Sequence, residues 1–497
     1  MSPASSEHSK ALSLGGYARK LSIAPKPSMS IHINDHYHSK VYTTGSEISG
    51  HVTIHPQIDV RFDALQIVLL GTSKTRMDAA SIPQATSHTF LKLVMPIPES
   101  SYPIPRVLEA GMTYTIPYTF VVPSTLTLNA CNHQVANDSV QEHHVRLPPT
   151  VGSWEKDDFA PNMSRVQYVI KARVYREDMT SEVPFKVMES GKEIKVLPAV
   201  AEDAPLNVTK DDDMYTMSKS KTLRRTIISP RSGRATITAT QPPAAMLSPD
   251  GQTITPTTVP LSLEFEPASS DVRPPKVTGV TSKVTAVTYF SAGGINHYPN
   301  LKDWHRAFGT EGRGSYSGTT SVSVGPLGEV RWSRHLTAQG RRDSGYGSET
   351  PSSSDSDLPP RPAPKKKSKG SLPPPIYHTA QLQVPIQLPA HKKAFVPTFH
   401  SCIASRVYVL WLTVTLVSGG ASAHVTLGVP LQIGVSATDF HRGSAELPPS
   451  FEEVEEADVN EYLRPRLMSV PTIDFHQNAV LPGYADLDRH RRTVAAH

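Results

Sequence analysis

GMTYTIPYTFVVP, residues 111–123, decides the fold class. After the turn glycine Gly111, the residues Tyr114, Ile116, Tyr118, Phe120 and Val122 are apolar at every second position, and Pro123 ends the run. Side chains alternate between the two faces of a strand, so this spacing lines one face for a core and leaves the other for solvent. The same period recurs on both sides. Upstream, Leu65, Ile67 and Leu69 share a face and stop at Gly71. Downstream, Tyr168, Ile170, Ala172 and Val174 alternate with polar neighbours, and Ile194 and Val196 close the series before Pro198. Dense two-residue patterning with glycine and proline punctuation reads as an antiparallel sandwich.

A second series begins near Arg234. Ala235, Ile237 and Ala239 alternate with threonines, and Leu261, Leu263 and Phe265 alternate with Ser262, Glu264 and Glu266. Leu382, Val384, Ile386 and Leu388 resume the pattern, and Pro385 within it predicts a sheet edge or a bulge, because proline has no ladder donor. Val407 to Trp411 reads as a strand apolar on both sides, and Val425 to Ile433 as the last strand. Between these halves, residues 199–232 carry Asp211, Asp212, Asp213 and the basic run KSKTLRR (219–225), and are predicted to be a linker. Residues 336–372 include GYGSETPSSSDSDLPPRPAPKKKSKG, too polar and proline-rich to bury a core. Strands on both sides of it need partners, so it is predicted to be a disordered insertion inside the second domain.

The expected architecture is all-β. It has two immunoglobulin-like β-sandwich domains at 29–198 and 233–436, a disordered start at 1–28 and a mostly disordered tail at 437–497. The 45 prolines argue against helices. The two cysteines, Cys131 and Cys402, are too few for a disulfide framework, and the first twenty residues hold no apolar run of secretory-signal length, so a reducing, cytoplasmic setting is expected. The run Val407–Val417 is far short of the about 20 apolar residues a membrane helix needs. Net charge is only +5, and no aromatic residues interleave with the basic runs, so nucleic acid is not an expected partner.

Enzyme and metal chemistry find little support in the pattern. His32, His36 and His38 flank a predicted turn and lack completing ligands. His143 and His144, if on a strand, point to opposite faces. Cys131 and Cys402, with His133 and His400 nearby, read as buried structural thiols. The glycines of GTEGRGSYSG (309–318) lack the strand–helix setting of a phosphate loop. No catalytic residue, metal site or cofactor is assigned.

Several runs resemble a known family. VYTTGSEISGHVTIHP (41–56) and FDALQIVLLG (62–71) resemble the opening of an arrestin N-domain. HTFLKLVMPIP (88–98), LEAGMTYTIPYTFVVP (108–123), NACNHQV (129–135), VRLPPTVGSW (145–154) and APNMSRVQYVIKARV (160–174) resemble the α-arrestins, the arrestin-related trafficking adaptors of fungi. LQVPIQLPAHKKAFVPTFHSCIASRVYVLWLTVTL (382–416) and VTLGVPLQI (425–433) resemble the C-domain of that group. The resemblance implies two arrestin-type sandwiches. It also implies an adaptor that brings a WW-domain HECT-type ubiquitin ligase to plasma-membrane transporters or receptors, promoting their ubiquitination and endocytosis. Its setting would be cytoplasmic, with recruitment to plasma membrane and endosomes and weak contact with anionic lipid through the basic runs.

Ligase recruitment in that family uses Pro-Pro-x-Tyr, whose prolines hold polyproline II geometry against an aromatic groove. Two candidates are present. Pro374-Pro375-Ile376-Tyr377 matches the pattern but leads straight into the predicted strand at 382–388. Pro448-Pro449-Ser450-Phe451 lies in the tail, with phenylalanine where the family has tyrosine. The lost hydroxyl leaves its partner unpaired, at a cost of about 1–3 kcal/mol. The alternative expectation is an arrestin-fold trafficking or signalling scaffold without ligase recruitment.

Overall fold

The computed structural model describes residues 29–77, 84–160, 163–178, 181–209, 212, 214–224, 229–299, 304, 312–336 and 376–437. The stretches predicted to be disordered, 1–28, most of 336–372, and 438–497 of the tail, fall outside them.

Among the described residues, the first half holds strands β1 (Met29–Ile33), β2 (Val41–Tyr42), β3 (Glu47–Ile54), β4 (Val60–Arg61), β5 (Ala64–Met77), β6 (Gln84–Met95), β7 (Val107–Leu108), β8 (Tyr114–Val121), β9 (Ser164–Asp178) and β10 (Ser181–Val196), with a short α-helix, α1 (Asp138–His144), and two 3-10 turns at Glu99–Ser101 and Leu128–Ala130. One main sheet runs β1-β3-β8 and the facing one β2-β10-β9-β5-β6, with β4 and β7 paired apart from both. The inward residues of the decisive run, Ile116, Tyr118 and Phe120, meet Ile67, Leu69, Tyr168, Ile170 and Val174 from the facing sheet in one core. Gly50 in β3 is required by a close approach. A Cβ there would lie 2.1 Å from the His32 carbonyl oxygen, which already accepts the Tyr118 hydroxyl at 2.9 Å.

The second half holds β11 (Ser218–Arg224), β12 (Arg231–Ala239), β13 (Ala245–Leu247), β14 (Thr257–Pro267), β15 (Lys276–Ser291), β16 (Arg313–Val324), β17 (Ser333–Leu336), β18 (Ile376–Gln387), β19 (Phe399–His400), β20 (Ala404–Ser418), β21 (Ala421–Leu431) and β22 (Ile433–Val435). The order β11-β12-β14-β18-β16-β15-β20-β19 is formally one sheet. Its middle link is only two pairs, Ser323↔Gln387 and Val324↔Ile386, so the sheet folds over on itself. Ile237, Leu261, Leu263, Phe265, Leu382 and Val384 from one side then pack against Val284, Leu410, Leu412, Val414 and Leu427 from the other. The protein is thus all-β, with two sandwich-like units, each with its own core.

Three local expectations are corrected. Residues 219–224 of the basic run in the predicted 199–232 linker lie in strand β11, paired with β12 from Ser218↔Thr238 onward. Its polar side chains are exposed, and of its residues only Leu223 enters the core, so no alternation marked it. His143 and His144 lie on helix α1, whose Asn137 cap accepts the Val140 amide at 3.0 Å. Pro385 is on an internal strand: β18 pairs β14 on one side and shares its other side between β17 and β16. Pro385 falls at the break between those two strands, where its missing donor leaves no ladder bond unmade, and its carbonyl accepts the Gly325 amide.

Candidate functional site

Of the proline-motif residues, Pro374, Pro375, Pro448, Pro449 and Phe451 lie outside the described residues, and Tyr377 lies within them. Tyr377 is the second residue of β18. It pairs with His335 of β17, and the two rings stack at 5.0 Å. Leu336 and Ile376 pair at the base of the connection formed by residues 337–375. Tyr377 is therefore held extended, half-buried, by a partner strand of four residues. A WW groove would need polyproline II geometry there, so β17 must peel away before Tyr377 can serve as a ligand.

The two cores exchange residues across a seam. Phe159 and Leu197 belong to the core of the second sandwich, while Val396, Phe399 and Ala404 belong to that of the first. Phe159 sits on a tight loop with φ of 59°, a left-handed conformation costly for any side chain, and its amide is tied back to the Asp157 carboxylate. Its ring meets Phe395 at 5.5 Å between centroids.

Beside it, Arg406 of β20 is fully buried. Its guanidinium donates to the Asp158 carbonyl at 2.6 Å, to Thr288 Oγ1 at 2.6 Å and more weakly to the Phe159 carbonyl. Five fixed donors in one plane suit such a set of oxygens better than an ammonium could. Burial pushes the Asp158 carboxyl up, opposed by the amides of Gly152 and Ala160 that it accepts. Lys393 pairs with Asp157 at the rim. Further along the seam, the Thr75 hydroxyl donates to the Ser291 carbonyl at 2.9 Å and that of Thr86 to the Ala292 carbonyl at 3.1 Å.

At the other end of the seam, α1 faces the β19–β20 turn. Here Cys131, His133, His144 and Cys402 converge, their ligating atoms all within 4.8 Å of one another. Cys131 Sγ lies 3.6 Å from His144 Nδ1 and 3.8 Å from His133 Nδ1. The group is buried except along His133. Burial, with His133 and His143 alongside, lowers His144 to about 4, so its imidazole is neutral. Burial and the neighbouring Cys131 raise the Cys402 thiol well above its ordinary value.

A polar network adjoins this group. Arg146 donates to Asp203 at 2.8 Å, His143 Nε2 lies 3.4 Å from the same carboxylate, and the Gln432 side chain donates to it at 3.2 Å. His143 and Arg146 hold Asp203 down at about 2. His400, noted in the sequence beside Cys402, is not among the converging ligands and bonds Ser405 Oγ at 2.6 Å. His144 joins His133 and the two cysteines, a residue the sequence had weighed only as a strand position opposite in face to His143. The Cys-x-His spacing at 131–133 was the visible signal, but its other half lies on a distant element.

No protein-family model matches the chain, and no curated protein matches it. Among the described residues, no helix is long and apolar enough to cross a membrane.

Proposed function

We propose that the chain is an adaptor of the arrestin type that links a WW-domain HECT-type ubiquitin ligase to plasma-membrane transporters or receptors. The observation that supports it most is the architecture. Two separately cored sandwiches exchange residues across a buried seam, so their sheet faces and strand edges are presented together. Such a body suits recognition of an extended cytosolic segment, because edge strands offer main-chain partners and alternate side chains give selectivity. The resembling sequence runs, in family order, point the same way. Exposed Lys219 and Lys221 on edge strand β11 would add weak attraction to anionic lipid at a membrane surface.

The pairing of Tyr377 with His335 favours a second reading, a trafficking or signalling scaffold that recruits no ligase. The test is binding of full-length protein to the tandem WW domains of a HECT ligase, compared with Tyr377→Ala and Phe451→Ala. Binding lost in either variant supports the adaptor reading and locates the motif. Absence of binding by the unaltered protein supports the scaffold.

A further inference from the structure

We infer that Cys131, His133, His144 and Cys402 form a structural zinc site that staples the two sandwiches together. Zinc in closed structural sites takes four ligands in a tetrahedron, with Zn–S near 2.3 Å and Zn–N near 2.0–2.1 Å. Those bond lengths set the sulfur–nitrogen edge at about 3.6 Å. The contacts from Cys131 Sγ to the two imidazoles are 3.6 and 3.8 Å, already at that edge. The widest separation in the group, at most 4.8 Å, closes with a shift of about 1 Å.

The surroundings orient the ligands as a metal requires. His133 Nε2 donates to the Ile295 carbonyl at 3.0 Å, which leaves the Nδ1 lone pair facing the thiols. The Ile295 amide donates to the Cys402 carbonyl at 2.7 Å, so one residue positions ligands from both halves of the chain. Gly294 makes this approach possible, since a Cβ there would stand 2.6 Å from the His133 ring. Two sulfurs and two imidazoles select zinc over calcium or magnesium, which take oxygen. Binding replaces the two thiol protons, which leave to solvent, and the dianionic sulfur pair neutralises the ion. Three ligands come from the first sandwich's Cys131–His144 segment and one from the second's β19–β20 turn, so the ion bonds across the seam. This inference is independent of the adaptor reading.

The test uses tag-free, full-length protein expressed with zinc supplied and then desalted. Metal analysis is expected to find one zinc per chain. Chelator-stripped protein titrated with Co2+ is expected to show the visible bands of a tetrahedral cobalt site and thiolate-to-cobalt charge transfer. Cys402→Ala is expected to abolish both, and Gly294→Ala to weaken zinc binding roughly 10-fold or more through His133. Should Cys402→Ala fail to fold, the cobalt spectrum of the unaltered chain decides alone. Protein without zinc whose stripped form gives no tetrahedral cobalt spectrum overturns the site, whether thiol titration then finds two free thiols or a Cys131–Cys402 disulfide.

Discussion

Phe159 offers the sharpest test of how the two halves are held together. The residue is carried by the first half of the chain but is buried in the core of the second, 6 % exposed. Its ring packs on Phe395, stands under the Lys393 ammonium at 5.3 Å and closes over Gly318, where a Cβ would come within 2.7 Å of it. Truncating such a ring removes its burial and leaves a cavity, so Phe159→Ala should cost about 3–5 kcal/mol. Phe159→Gly removes the same ring but also relieves the left-handed φ of 59°. That relief is worth about 1–2 kcal/mol, set against about 0.4–1 kcal/mol for the looser unfolded chain. The glycine variant should therefore be the more stable of the two by about 0.5–1 kcal/mol. Urea titration followed by tryptophan fluorescence reads the effect, because Trp154 packs against both cores. In the alanine variant the halves should also unfold in separable steps, since a residue shared between them is gone. A loss below about 1 kcal/mol, or an alanine variant more stable than the glycine one, would refute the strained-anchor reasoning.

Other outcomes follow from the same geometry. Gly50→Ala forces a methyl against the His32 carbonyl, where only backbone can yield, and should cost about 1–3 kcal/mol or more in a thermal melt. Arg406→Ala leaves the Asp158 and Phe159 carbonyls buried without their donor, and should cost about 1–3 kcal/mol in a urea titration; Arg406→Lys should recover little of it, because an ammonium cannot span the same oxygens. Asp203 is depressed to about 2, so its share of stability is full above its unfolded value of 3.8 and is lost as pH falls through about 2. Its side chain is 35 % exposed, which screens the pair and holds that loss to about 1 kcal/mol. Acid titrations of unfolding should show a shallower limb for Asp203→Asn, and an unchanged limb would remove Asp203 from the account.

Much of the fold was legible locally. The faces of residues 114–122, 168–174, 261–265 and 382–388 came out as their alternation indicated, because a strand position's face depends only on the parity of its neighbours. Strand β11 escaped because Lys219 and Lys221 face solvent and only Leu223 faces the core. Helix α1 escaped because a helix of seven residues leaves too short a periodicity to see.

The amino-acid sequence by itself determined the all-β class, the positions of the regularly alternating strands and many of the residues that line two cores. Each of these rests on side chains close together along the chain. Only the tertiary structure decided that Phe159 enters the other half's core, that Tyr377 is paired with His335, and that Cys402 meets Cys131, His133 and His144. Those meetings depend on the paths of loops between distant elements and on how two sandwiches dock, and no local pattern of alternation encodes them.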